Sequence, residues 1–148
     1  MTYKCIFFDL DHTLWDYESN SRETLKELYD HYGLIDKGVW AFEDFYLRFR
    51  EVNFRLWDLF DRGIITSAML RKERFRQVLE YFYAHEEKLA EDLSADYLDR
   101  CPKKGNLMPN AVQTLQYLSQ KYTMTVITNG FEETQHTKLE AGNLRSFF

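Results

Sequence analysis

The chain has few of the residues that break a fold or staple it. Its 148 residues include 2 Pro, 6 Gly and 2 Cys. So little Pro and Gly argues against disorder and against a turn-rich all-β fold. Cys5 and Cys101 belong to no CxxC or Cys/His cluster, which sets aside a zinc site and a disulfide framework. Cys5 lies in an apolar run and reads as a small core residue. No apolar stretch approaches the length of a membrane span, and no signal peptide precedes the first strand candidate. The expectation is a soluble, cytoplasmic chain with no membrane partner. Excess positive charge is also missing, since the formal net charge is -5. Such a chain has no general attraction for nucleic-acid polymers or anionic membranes. A small anionic substrate stays open to it, because a bound metal can reverse the local field.

What the chain does have is apolar and aromatic mass. Hydrophobic residues make up 45% and aromatics 17%, with 12 Phe and 10 Tyr. That is enough for the core of one domain, with or without an insert. Tyr3 to Phe8 is a short, nearly continuous apolar run, the pattern of a parallel strand buried on both faces. From about Ser19 to Cys101 the pattern is helical. Asn20 with Glu23 resembles a capping box, followed by Leu25, Leu28, Tyr29 and Tyr32 at helix spacing, with a stop at Gly33. Phe42, Phe45, Phe49, Val52, Leu56 and Phe60 form a second stripe, ended by Gly63. Thr66 caps a third helix carrying Met69, Phe75, Leu79 and Phe82, and Leu89, Leu93 and Tyr97 mark a fourth. Pro109 suits the first turn of a further helix through Val112, Leu115 and Leu118. Tyr122 to Ile127 alternates as a strand, and Glu132 to Glu140 is helical, stopping at Gly142.

The order is strand, helical block, helix, strand, helix. Parallel strands need crossovers, and helices supply them. The block is too long for one crossover and reads as an insert after the first strand. The expected fold is α/β: a partial doubly wound, Rossmann-like parallel sheet (residues 1–16 and 102–148) with an inserted α-helical bundle (residues 17–101). Ligands of open α/β sheets sit beyond the carboxyl ends of the strands. Two polar clusters fall at such ends, Asp9/Asp11 and Thr128-Asn129-Gly130.

The stretch FDLDHTL, residues 7–13, sets two carboxylates one residue apart. They repel unless a cation sits among them or one holds a proton. Magnesium suits hard oxygen donors, with waters and phosphate completing its octahedron. Asp9, ionised and metal-bound, can attack phosphorus and form an aspartyl-phosphate. Asp11 can carry the shared proton to the leaving oxygen and then activate water. The Thr128 hydroxyl and the backbone amides of Asn129 and Gly130 can bind the phosphoryl oxygens, and Gly130 lets the backbone come close.

FDLDHTL resembles motif I of the haloacid dehalogenase-like superfamily, D-x-D-x-T-L after a buried strand, and VITNG resembles its motif II. The helical insert resembles the small helical cap of that family. DLDHTLWD, GIITSAMLRKERF, LMPNA and ITNGF together are similar to its pyrimidine 5'-nucleotidase branch. The resemblance implies a magnesium-dependent phosphomonoester hydrolase acting on a small phosphorylated metabolite, a nucleoside monophosphate. It matches Asp9 to the nucleophile and a magnesium ligand, and Asp11 to the general acid/base with its backbone carbonyl on the metal. Thr128 matches the phosphate-binding hydroxyl. True haloacid dehalogenases lack the second Asp, having no leaving oxygen to protonate. The family pattern continues with a further strand, a phosphate-binding Lys and metal-site Asp residues. The 148 residues stop before these, and Lys138, on the helix just after VITNG, does not replace that Lys. The expectation is the N-terminal portion of a longer protein. Two other functions stay open: a sugar-phosphate phosphatase or phosphomutase, and a helical interaction module on a catalytically incomplete base.

Other polar and aromatic residues read more plainly. His12 fills a backbone position and stays outside proton transfer. Trp15 and Asp16 lead into the insert, with packing as the default. Arg71 and Arg74 read as a solvated, ion-paired helix face, and Tyr81-Phe82-Tyr83 as bundle packing.

Overall fold

The computed structural model describes residues 3–148. These divide into two compact units: the described part of Met1–Ser21 with Arg100–Phe148, and Arg22–Asp99. Among the described residues no helix is long and apolar enough to cross a membrane.

The first unit holds the sheet. Strand β1 (Cys5–Phe8) pairs in parallel with β2 (Thr123–Val126), in the register Cys5 to Thr123 and Phe8 to Val126. Helix α5 (Ala111–Ser119) leads into β2, and α6 (Glu132–Ala141) follows it. Leu10, Trp15, Leu115 and Leu144 are fully buried here. β1 is not buried on both faces, as its apolar run suggests. Cys5 is exposed and Phe7 is 64% exposed, because β1 has one paired neighbour and its outward side chains meet no covering layer among the described residues. Pro109 also falls outside its helix. Asn110, in a left-handed conformation, turns the chain before α5 begins.

Helix α1 (Tyr17–His31) begins in the first unit and continues in the second. Its cap is Asp16, not Asn20: the carboxylate accepts from the Ser19 amide at 3.1 Å and the Ser19 hydroxyl at 2.7 Å. Asn20 is buried inside the helix. It donates to the Asn106 carbonyl and accepts from the Asn106 amide and side chain, which ties the helix start to the segment before α5.

The second unit is built from the remainder of α1 with α2 (Phe42–Asp61), α3 (Ser67–Tyr81) and α4 (Glu87–Arg100). Gly33 ends the α1 segment in a left-handed conformation that suits glycine. The Thr66 hydroxyl caps α3 by accepting from the Met69 amide. Phe49, Phe75 and Tyr97, one each from α2, α3 and α4, meet with ring centroids 5.1–5.7 Å apart.

Several side chains there depart from the sequence pattern. Leu70 faces inward while Met69 is half exposed, a shift of one position around α3. Arg74 is 4% exposed rather than solvated. Its guanidinium lies 4.7 Å from the Tyr97 ring centre and donates to Asn53, because ring faces attract a planar cation. Tyr81 and Tyr83 are exposed, since α3 ends there and Tyr83 turns left-handed.

Candidate active site

The parallel register sets the ends of β1 and β2 side by side. Phe8 pairs with Val126, and the Ile127 amide donates to the Phe8 carbonyl at 2.8 Å. The polar clusters at 9–11 and 128–130 therefore emerge from the same edge of the sheet.

Past Phe8 the chain winds around one carbonyl. The Leu10 oxygen accepts from the amides of Thr13, Leu14 and Trp15 at 2.9–3.3 Å. His12 takes the left-handed conformation (φ 63°), which costs a non-glycine residue on the order of 1 kcal/mol. Leu10 turns fully into the core, and the acids to either side are held differently. Asp9 is exposed and accepts from the Thr13 hydroxyl at 3.2 Å, which gives that threonine a defined task. Asp11 is clasped from α6. Lys138 donates to its two oxygens at 2.6 and 2.8 Å, and Gln135 adds a bond to Oδ2 at 3.2 Å. The cation that settles Asp11 in this unit is thus a lysine ammonium.

Lys138 and Gln135 were outside the residues expected at the site. One signal was legible: α6, EETQHTKLEA, has almost no apolar residues to bury, so any packed face of it must include polar groups. Gln135 and Lys138 stand three apart on one face, and both are at least nine-tenths buried.

Thr128, Asn129 and Gly130 form the turn after β2. The Gly130 amide donates to the Thr128 hydroxyl at 3.1 Å, which leaves the hydroxyl hydrogen free to donate outward. The small size of Gly130 has a neighbour to account for it. A Cβ there would stand 1.5 Å from Gln135 Nε2. Gln135 therefore touches both the 128–130 turn and Asp11, and joins the two clusters. His12 is exposed, with its ring 5.0 Å from that of Tyr17. Trp15 is fully buried and donates to the Lys104 carbonyl at 2.8 Å, so packing accounts for it.

The donor chemistry suits a hard divalent cation. Among the described residues no three His, Cys, Asp or Glu side chains gather in a cluster. The exposed Asp9 carboxylate and the Asp11 backbone carbonyl are oxygen donors of the kind magnesium takes, alongside water and phosphate. The Asp11 carboxylate is already engaged by Lys138.

A family model described as haloacid dehalogenase-like hydrolase matches residues 3–148. The HAD-hydrolase YfnB of Bacillus subtilis is 26% identical over 99% of this chain and 59% of its own length. The pyrimidine 5'-nucleotidase YjjG of Escherichia coli is 30% identical over 100% of this chain and 61% of its own. A magnesium-bound crystal structure of YfnB superposes with a TM-score of 0.84, covering 100% of this chain and 63% of that one. The fold is also that of the L-2-haloacid dehalogenase of Xanthobacter autotrophicus, with a TM-score of 0.69 at 17% identity, covering 99% and 55% of the two chains. The chain spans about three-fifths of the length of the curated relatives it matches.

Proposed function

The chain belongs to the haloacid dehalogenase-like hydrolase family, and from that premise we propose that the full-length protein is a magnesium-dependent phosphatase of nucleoside monophosphates. The observation that carries this reading is the parallel pairing of Phe8 with Val126, which puts Asp9 and Asp11 at the same sheet edge as Thr128. The similarity to pyrimidine 5'-nucleotidases supports a nucleotide as substrate.

In this reading an Asp9 oxygen attacks phosphorus as the bond from phosphorus to the nucleoside oxygen breaks. Asp11, which must take up a proton before this step because its carboxylate is ion-paired with Lys138, hands that proton to the leaving oxygen. Water then attacks the aspartyl-phosphate, Asp11 takes the water's proton, and Asp9 is released with inorganic phosphate. Thr128 donates its hydroxyl hydrogen to a phosphoryl oxygen, joined by the Asn129 amide, while the Gly130 amide steadies the hydroxyl. The Asp9 carboxylate and the Asp11 carbonyl would hold the magnesium ion, which when bound supplies positive charge to the phosphoryl group.

The test is phosphate release by the full-length protein from nucleoside and sugar monophosphates, with and without magnesium. Nucleotides are expected to turn over fastest, and a chelator to abolish turnover. Asp9→Asn is expected to lower kcat by about 10³-fold or more, as removal of a nucleophile does. Undiminished turnover in that variant would remove Asp9 as nucleophile. A sugar phosphate as the best substrate would redirect the specificity, and an isomerised product would make the protein a mutase.

A further inference from the structure

We propose that Lys138, assisted by Gln135, is a positioning residue that aims the Asp11 carboxylate for proton transfer; the proposal rests on the acid/base role given to Asp11 above. Three hydrogen bonds from two side chains fix that carboxylate. Lys138 reaches both oxygens, and Gln135 reaches Oδ2 from one turn earlier on α6. A carboxylate held at two oxygens by a cation and at one by an amide has lost its freedom to rotate about χ2.

Lys138 is itself fixed. Its side chain is 7% exposed against 25% for Asp11, and its ammonium lies 4.5 Å from the Trp15 ring centre and 5.9 Å from that of Tyr17. A buried, strongly hydrated cation is costly unless it is paired, and Asp11 is its partner. The arrangement is more specific than a buried pair needs for stability alone. It grips a residue next to an exposed carboxylate, and its second donor, Gln135, also lies against the Gly130 backbone. The grip thus sets Asp11 relative to the phosphate-binding turn. It also supplies the positive charge that lets Asp11 stay beside Asp9.

Aim matters most where the departing oxygen needs a proton. A nucleoside alkoxide needs one, and a nitrophenolate does not. The experiment compares kcat/KM of the full-length protein for a nucleoside monophosphate and for 4-nitrophenyl phosphate. Lys138→Met is expected to lower the first by about 10²-fold, the low end of what general acid catalysis contributes, and the second by less than about 3-fold. Lys138→Arg, which keeps charge and reach, is expected to recover most of the loss. Should Lys138→Met fail to fold, Gln135→Met carries the same comparison, with a several-fold loss confined to the nucleotide. Equal losses on both substrates, or none on the nucleotide, would overturn the proposal. Asp11→Asn separates the two readings: if it spares the nucleotide reaction, Asp11 is not the acid and the proposed mechanism fails. A selective loss in Asp11→Asn with none in Lys138→Met would refute the positioning role alone.

Discussion

At the scale of single residues, the site turns on how three charged side chains share a small space. Asp9 stays exposed with a neutral hydroxyl beside it, while Asp11 is neutralised from α6. A nucleophile needs a free lone pair, and an acid/base needs a fixed direction; these two environments differ in that sense. Gly130 gives a sharp test of the link between the clusters. In Gly130→Ala the new methyl would collide with Gln135 Nε2, so the amide must swing away from Asp11. The expected result is a stability loss of about 1 kcal/mol or less, since the displaced group is the end of a flexible side chain. Its selectivity should run in the same direction as that of Gln135→Met, with the nucleotide reaction slowed more than the 4-nitrophenyl phosphate reaction. A variant retaining the wild-type ratio of the two rates would show that Gln135 has another way to hold Asp11.

At the scale of elements, the helices of the second unit follow their own sequences closely. The α2 stripe of Phe45, Phe49, Val52 and Leu56 is buried as the 3.6-residue period requires, and Thr66 caps α3 as its position suggests. The exposed face of α3 carries a charge cluster with a pH signature. Arg76 donates to Glu73 and Glu80, and the bond from Arg76 holds the Glu73 carboxyl below the usual glutamate range, against the opposing pull of partial burial. A lowered carboxyl adds stability that is complete above its unfolded value, about 4.3, and is lost as pH falls through the lower folded value. The midpoint of thermal unfolding, followed by helical circular dichroism, should therefore fall as pH drops from 5 to 3. Glu73→Gln should remove about 0.5 kcal/mol of that dependence, the scale of a partly exposed i,i+3 pair. An unaltered acid slope in the variant would mean that Glu73 gains nothing from Arg76.

At the scale of the whole molecule, two strands carry the sheet among the described residues. Such a pair needs helices packed against it for stability, and β1 and β2 have α5 and α6 beside them in sequence. The outward side of the strands stays open: Tyr3, Phe7 and Ile127 are each more than 60% exposed, alongside the exposed Thr123 and Thr125. Cys5 shares that exposure, whereas Cys101 is buried. With a disulfide reagent, the 148-residue chain should lose one thiol quickly and the second only in denaturant, because access governs attack on a thiolate. Two fast thiols would contradict the burial of Cys101, and two slow ones would mean that something covers the face of β1.

The element order, the helix periodicities and the placing of acids at a strand end were all legible in the sequence. Those signals are local: capping and helix spacing act over three or four residues, and a strand reveals itself in a single apolar run. Some boundaries still slipped, as at Asn20, because a nearer cap, Asp16, also satisfied the helix start. The tertiary structure alone decided that Lys138, 127 positions away, neutralises Asp11, that Arg74 lies among aromatic rings, and that one side of β1 stays open. Desolvation is the reason. A charge taken out of water must find a partner, and packing chooses that partner from everything brought close, at whatever separation along the chain.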